Sequence, residues 1–232
     1  MADAARVRIF IDFWNFQIQW NACHARLGAT GKVQIPWKDL PALLTAEAAK
    51  GQPVKFAGAH VYASVDPENK NDKNLSRWLH HDLASITGYR VEVKNRKLKG
   101  PVKCQEEQCR AEITKCTQCK NPLRATGEKG IDAAVITDIL SMAFDGNYDI
   151  GVLVSGDADY APAVDYIQKK TDRQIVQAFF KSHGDQLRTA CWDHLFFEDL
   201  FSKLNLTPVP NQKTIPSIAA SASPSTPSIK KK

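Results

Sequence analysis

Apolar positions along this chain alternate between two rhythms. Residues 7–12 form a compact apolar run ending in Asp12, which predicts a buried strand, and helical spacing follows from about Asn15 to Leu27. GATGKVQIPW is loop-like, WKDLPALLTAEAAK returns to helical spacing, and VKFAGAHVYA at 54–63 predicts a second strand. The polar DPENKNDKNL stretch passes into a helix with Leu75, Trp78, Leu79 and Leu83 on one face, and YRVEVKN predicts a third strand. Helical periodicity resumes in GIDAAVITDILSMAF, where Ile131, Val135, Ile139 and Met142 share a side. A strand at 150–154, a helix over APAVDYIQKK, a strand in RQIVQAFF and the segment LRTACWDHLFFEDL complete the pattern. Strands alternating with helices predict an α/β protein with a mainly parallel sheet covered on both faces.

Two regions break this pattern. Residues 94–129 are basic, carry four cysteines and have few large apolar residues, which marks an insert. From Thr207 the chain is rich in Pro, Ser, Ala and Thr, and residues 207–232 are expected to be disordered. The 232 residues are enough for one sizeable α/β domain with a small appendage. A net charge of +6 is compatible with an anionic partner but does not require one. No apolar stretch reaches the length of a membrane span, and Asp12 and Asn15 interrupt the first apolar run before it could serve as a secretory signal. A cytoplasmic protein without membrane contact is the expectation. Cys23 and Cys191 are read as single reduced thiols.

Chemistry concentrates where apolar runs end in acids. In an open parallel sheet, ligands sit at the carboxyl ends of strands. Asp12 follows the first strand, Asp157 follows the 150–154 strand, Asp132 lies near the start of a helix and Asp159 is placed to start the next. Oxygen-rich sets of this kind suit Mg²⁺ or Mn²⁺. Each acid also has a structural role open to it: Asp159 as a helix N-cap, Asp132 as a first-turn acid facing the helix dipole. Asp138, about 120° around the helix from Asp132, is a supporting candidate at most. Asn15 suits either a turn hydrogen bond or a metal-bound water or phosphate oxygen. Ser155 and Gly156 suit a tight turn or, for the hydroxyl, ligand orientation; Lys129 suits phosphate neutralisation or plain solvation.

The segments F-I-D-F-W-N at 10–15, K-G-I-D at 129–132 with T-D at 137–138, and S-G-D-A-D-Y at 155–160 resemble the NYN domain, LabA-like and part of the PIN-like nuclease superfamily. The resemblance covers most of residues 6–204. It implies a three-layer α/β/α sandwich, an acidic pocket for Mg²⁺ or Mn²⁺, and metal-dependent cleavage of single-stranded or structured RNA. By the match, Asp12, Asp132 and Asp157 are the metal acids, Asn15 and Asp159 support them, and Ser155 lies in or beside the site. The basic cysteine insert and the long tail depart from the pattern without removing a motif residue.

Cys104 and Cys109 form C-x4-C, and Cys116 and Cys119 form C-x2-C. Four thiolates in two close pairs suit structural Zn²⁺ in a small ribbon-like insert, with four unligated thiols or an iron–sulfur cluster as the alternatives. The insert's cations, among them Lys97, Lys99 and Arg110, suit a phosphate backbone. The insert has no aromatic residue, so base stacking would fall to Trp14, Trp78 or Tyr160. Adjacent His80 and His81 point to different sides of a helix and make a poor metal pair. The expected activity is a metal-dependent endoribonuclease. The rivals are a non-catalytic RNA-binding adaptor and, further off, a phosphatase-like hydrolase, whose DxDx(T/V) motif is absent. The sequence leaves a homodimer open.

Overall fold

The computed structural model describes residues 4–29, 33–98, 102–104, 106–120, 123, 126–127 and 130–204. Strand β1 (Ala5–Asp12) leads directly into helix α1 (Phe13–Arg26), followed by α2 (Leu40–Ala48) and β2 (Val54–Val65). Helix α3 (Lys70–Trp78) continues through a π-helical turn at Leu79–Leu83 to β3 (Tyr89–Asn95). Four two-residue strands come next: β4 (Lys97–Leu98), β5 (Val102–Lys103), β6 (Glu112–Ile113) and β7 (Thr126–Gly127). The remaining elements are α4 (Ile131–Phe144), β8 (Ile150–Val154), a 3-10 turn (Ala158–Tyr160), α5 (Ala161–Lys170), β9 (Gln174–Phe179), α6 (Asp185–Ala190), β10 (Asp193–Phe196) and α7 (Phe197–Leu200).

Six strands form one sheet in the order β10-β9-β8-β1-β2-β3, and every neighbouring pair is parallel. The central strand β8, IGVLV, reads as a continuous apolar run because both of its faces are covered. Ile9, Ile11, Val61, Val152 and Val154 pack on one side with Phe13, Phe16, Trp20, Leu40, Leu44, Leu79 and Phe197, contributed by the α1, α2, π-turn and α7 layer. Phe10, Tyr62, Leu153 and Ile175 pack on the other side with Ile131, Val135, Ile139, Val164, Ile167 and Leu187 of α4, α5 and α6. The expected α/β/α sandwich is therefore present. Met142 is only partly buried; Ala143 takes the innermost place at that end of α4 because it lies a full i, i+4 step from Ile139.

The chain leaves β1 toward β2 and β3 on one side, then returns to the other side of β1 with β8, β9 and β10. The order of strands reverses at the β1–β8 pair, so the adjacent connections part there and open a crevice above the carboxyl ends. Asp12 and the turn after Val154 both lie at that point, since Ile11 pairs with Val154. At the opposite edge, Asp149 accepts hydrogen bonds from Arg6 Nε (3.0 Å), Arg6 Nη2 (3.1 Å) and the Arg6 amide (2.8 Å), and it also pairs with Arg173. Those bonds to Arg6 hold its carboxyl below the ordinary aspartate value and clamp β1 to the loop before β8.

The small strands pair in two antiparallel ladders. Lys97 opposes Gly127 and Leu98 opposes Thr126, while Val102 opposes Ile113 and Lys103 opposes Glu112. The tail from residue 205 onward lies outside the described residues.

Candidate functional site

Asp12 is the last residue of β1 and only 6% exposed. Its backbone is extended, and its Oδ1 accepts the Asn15 amide at 3.3 Å, which caps α1. Asp132 sits in the first turn of α4 and is exposed. The residue before that helix, Gly130, has φ 86°, a left-handed backbone that glycine adopts without strain, and this sharp entry turns Asp132 toward the sheet edge.

The two acids meet at Tyr160. Its hydroxyl lies 3.0 Å from Asp12 Oδ2 and 3.2 Å from Asp132 Oδ1. Tyr160 is 1% exposed, and burial first, then the charges of Asp12 and Asp132, push its phenol well above the ordinary tyrosine range. It is therefore a neutral O–H donor at any working pH, shared between two carboxylates that would otherwise repel each other.

The β8 end forms the facing lip. Ser155 is fully buried, and its Oγ accepts the Asp157 amide at 3.1 Å. Asp157 Oδ1 accepts the Asp159 amide at 3.0 Å, so Asp157 caps the 3-10 turn, and the cap reading for Asp159 is corrected. The reason is local: Asp157 is the last residue with extended backbone, whereas Asp159 lies inside the turn with its side chain exposed. Asn15 ties the lips together, its Oδ1 accepting the Gly156 amide at 2.9 Å. A groove of about 650 Å³ begins at Ala158 and Asp159 and runs toward Gln186 and Ala190.

Asp138 is drawn elsewhere. It accepts the Tyr62 hydroxyl at 2.7 Å and stands 3.8 Å from His60 Nδ1, so it anchors α4 to β2. His60 Nε2 lies 2.9 Å from Arg8 Nη1, an obligate donor, which fixes the imidazole as neutral with its proton on Nδ1. Burial, then Arg8, lowers the His60 pKa to about 4.

The structure thus brings Asp12 and Asp132 together at Tyr160, sets Ser155, Asp157 and Asp159 on the turn after β8, and joins that turn to the Asp12 side through Asn15. Among the described residues, no three carboxylates, thiols or imidazoles stand close enough to surround one ion. The Asp12–Asp132 pair is nonetheless an all-oxygen donor set of the kind hard divalent cations select.

Of the basic candidates, Lys97 and Arg110 are exposed, while Lys99 and Lys129 lie outside the described residues. Cys104 follows β5 and its amide donates to Ala111 O at 2.9 Å. Cys109 and Cys119 are exposed, and Cys104 and Cys116 half-buried. Two similar turns carry the second cysteine of each pair: Arg110 N donates to Glu106 O and Lys120 N to Cys116 O, both at 3.0 Å, with left-handed Arg110 (φ 43°) and Lys120 (φ 59°) closing them. The amides of Cys119 and then Gln118 aim at the Cys116 sulfur and lower its pKa. N–H groups pointed at a sulfur favour the thiolate that a metal needs.

Two residues escaped the sequence reading. Tyr160 looked like a core or rim aromatic, and only its place just after the paired acids hinted at the bridging hydroxyl. Arg96, one more cation in a basic run, has its guanidinium 5.1 Å from the centre of the Trp14 ring. Trp78 packs among Phe13 and Trp37 and Tyr160 is buried, so neither offers a free face for a base.

Comparison with known proteins identifies the family of the fold. The sequence profile described as "NYN domain" matches residues 6–199. A crystal structure of a protein of unknown function, VPA0982 from Vibrio parahaemolyticus, is similar with a TM-score of 0.50 and 15% identity over 86% of this chain and 97% of that one. At that identity the likeness concerns the fold alone. No curated protein matches the chain.

Proposed function

The chain belongs to the NYN domain family, a nuclease-type fold of the PIN-like kind, and from this premise we propose that it is a divalent-metal-dependent ribonuclease. The observation that carries the reading is the Asp12–Tyr160–Asp132 bridge at the point where strand order reverses. Two carboxylates held about one hydroxyl apart are a poor surface for phosphate on their own and a good one once a cation lies between them.

In this reading Asp12, Asp132 and Asp157 would hold Mg²⁺ or Mn²⁺, Asp12 and Asp132 directly and Asp157 from the turn after β8 through one of the waters such an ion keeps. The ion, when bound, polarises the phosphodiester and acidifies the attacking water. Asp12, fixed at the mouth of β1 by the α1 amide, supplies the least mobile oxygen. Asp159, exposed beside Asp157, orients the water and accepts its proton. Asn15 holds the two lips in register through Gly156 and offers its NH₂ to a phosphate oxygen. Ser155 fixes Asp157 through its amide, so its contribution to the substrate is indirect.

The insert at 94–129 would grip the substrate strand through Lys97, Lys99, Arg110 and Lys129, with Cys104, Cys109, Cys116 and Cys119 as the ligands of a structural Zn²⁺ whose binding would draw the two pairs together. The paired turns and the amides aimed at Cys116 support that assignment. No helix among the described residues is long and apolar enough to cross a membrane.

The test is cleavage of labelled single-stranded RNA by purified protein with Mn²⁺, Mg²⁺ or EDTA. Cutting that requires the metal supports the nuclease. Binding without cutting in any metal points instead to an RNA-binding adaptor.

A further inference from the structure

We propose that Arg96, stacked on Trp14, is a phosphate-binding site for the polynucleotide strand on the insert side of the acidic crevice; this rests on the nuclease reading above. All strands of the main sheet are parallel, so the carboxyl ends of β1, β2 and β3 lie along one edge. Trp14 is two residues beyond Asp12, Ser64 is two beyond Tyr62, which pairs with Asp12, and Arg96 directly follows β3. These three residues therefore continue the edge from the acids toward the insert.

Their contacts fix the guanidinium in place. The Arg96 amide donates to Val65 O at 2.7 Å, and its Nε donates to Ser64 Oγ at 2.9 Å. The Trp14 indole N–H donates to Ser64 O at 2.6 Å, which locks the ring under the guanidinium. Nε is thereby spent, while both terminal amino groups of Arg96 make no hydrogen bond or ion pair among the described residues. Arg96 is half-exposed. By contrast, Lys94 is paired with Glu92 at 3.2 Å, and Lys181 and Arg188 are matched with Asp199 and Asp185.

An arginine that is pre-ordered, flat and, among the described residues, without a carboxylate partner matches a phosphodiester, which accepts the two-pronged donor of a guanidinium. Its ordering cost is already met by the fold, so binding an anion loses little further freedom. Trp14 acts as the positioning residue. Its Arg96 face is covered, so it serves as the floor beneath the cation rather than as a platform for a base.

The experiment is fluorescence anisotropy with a labelled single-stranded RNA in EDTA across a salt series, on wild type, Arg96→Ala, Arg96→Lys, Trp14→Phe and Lys55→Ala. Lys55 is exposed near the start of β2, at the other edge of the sheet, and controls for net charge. Arg96→Ala is expected to weaken binding about tenfold and to reduce the slope of log K against log salt by about 0.7, the value for one phosphate contact on a single strand. Arg96→Lys should keep the slope but lose part of the affinity, because a point charge replaces the planar fork. Lys55→Ala should leave both as in wild type. In Mn²⁺, Arg96→Ala should raise KM and leave kcat within about twofold. A matched DNA strand separates the sources of phosphate: an equal Arg96 effect on both supports a pure backbone contact. If Arg96→Ala and Arg96→Lys bind with wild-type affinity and slope, the inference is overturned while the nuclease reading stands. If wild-type protein does not bind the strand in EDTA yet cuts it in Mn²⁺, the Arg96 site falls and the nuclease reading stands; if it neither binds nor cuts, both fall.

Discussion

Replacing Tyr160 by Phe removes one oxygen and keeps the ring in its buried place. The hydroxyl serves Asp12 at 3.0 Å and Asp132 at 3.2 Å, yet its single proton can favour only one of them at a time. Hydrogen bonds to charged acceptors contribute about 1.5–3 kcal/mol, and the gain from no longer burying a phenolic oxygen offsets part of that. A loss of about 2 kcal/mol in the metal-free protein is the expected result. For a chain of this length it corresponds to a fall in Tm of about 4–8 °C. With saturating Mn²⁺, the cation takes over the task of compensating the two carboxylates, so the deficit should shrink to less than half. The assay is differential scanning calorimetry of wild type and Tyr160→Phe with EDTA and with Mn²⁺. An equal deficit in both conditions would mean that the hydroxyl serves the acids whether or not metal is present and that no ion enters between them. No deficit in EDTA would refute the bridge itself.

Gly156→Ala would put a methyl group into the Phe179 ring, which packs directly against Gly156, and this overpacking should cost about 1–3 kcal/mol in denaturant unfolding and displace the Asn15 tie. An unchanged midpoint would show that the β8 turn has room to spare. His60, lowered to about 4, stays neutral in the fold while the unfolded chain takes up its proton near 6.5. The unfolded state binds more protons between those values, so stability falls as pH drops through that window, by about 2 kcal/mol at pH 5. His60→Gln should remove that pH dependence in urea titrations; a slope that persists unchanged would assign it to another group. For the insert, metal analysis should give one zinc per chain, and Cys116→Ser should release it without unfolding the main sheet; protein isolated free of zinc, with four reactive thiols, would refute the assignment.

Sheet and layers were legible because the apolar runs at 150–154 and 173–180 are buried on both faces, and a central parallel strand requires that composition. The strand β10 was not legible. Asp193 and His194 interrupt its apolar run, and it joins the sheet only at an edge, where Asp193 is held by Lys50 at 2.5 Å. Asp12 was legible since a carboxylate directly after a buried run has little reason to be there unless something uses it. The distinction between Asp157 and Asp159 as cap was not, because both residue types cap well and only the backbone angles separate them. Arg96 and Tyr160 depended on contacts across 82 and 148 positions of chain, as with Arg96 over Trp14 and Tyr160 on Asp12, and local pattern carries no such information.

The most direct test of the shared acidic site is single-turnover RNA cleavage in Mn²⁺ by Asp12→Asn, Asp132→Asn and Asp157→Asn, beside Asp145→Asn, exposed at the far end of α4 from Asp132. Residues that act as one unit are non-additive, so each of the three should lose at least about a hundredfold in rate and the Asp12/Asp132 double variant little more. Asp145→Asn should cut as wild type does. Cleavage that survives in all three acid variants, or losses that simply multiply in the double variant, would contradict a single metal-holding crevice built from these residues.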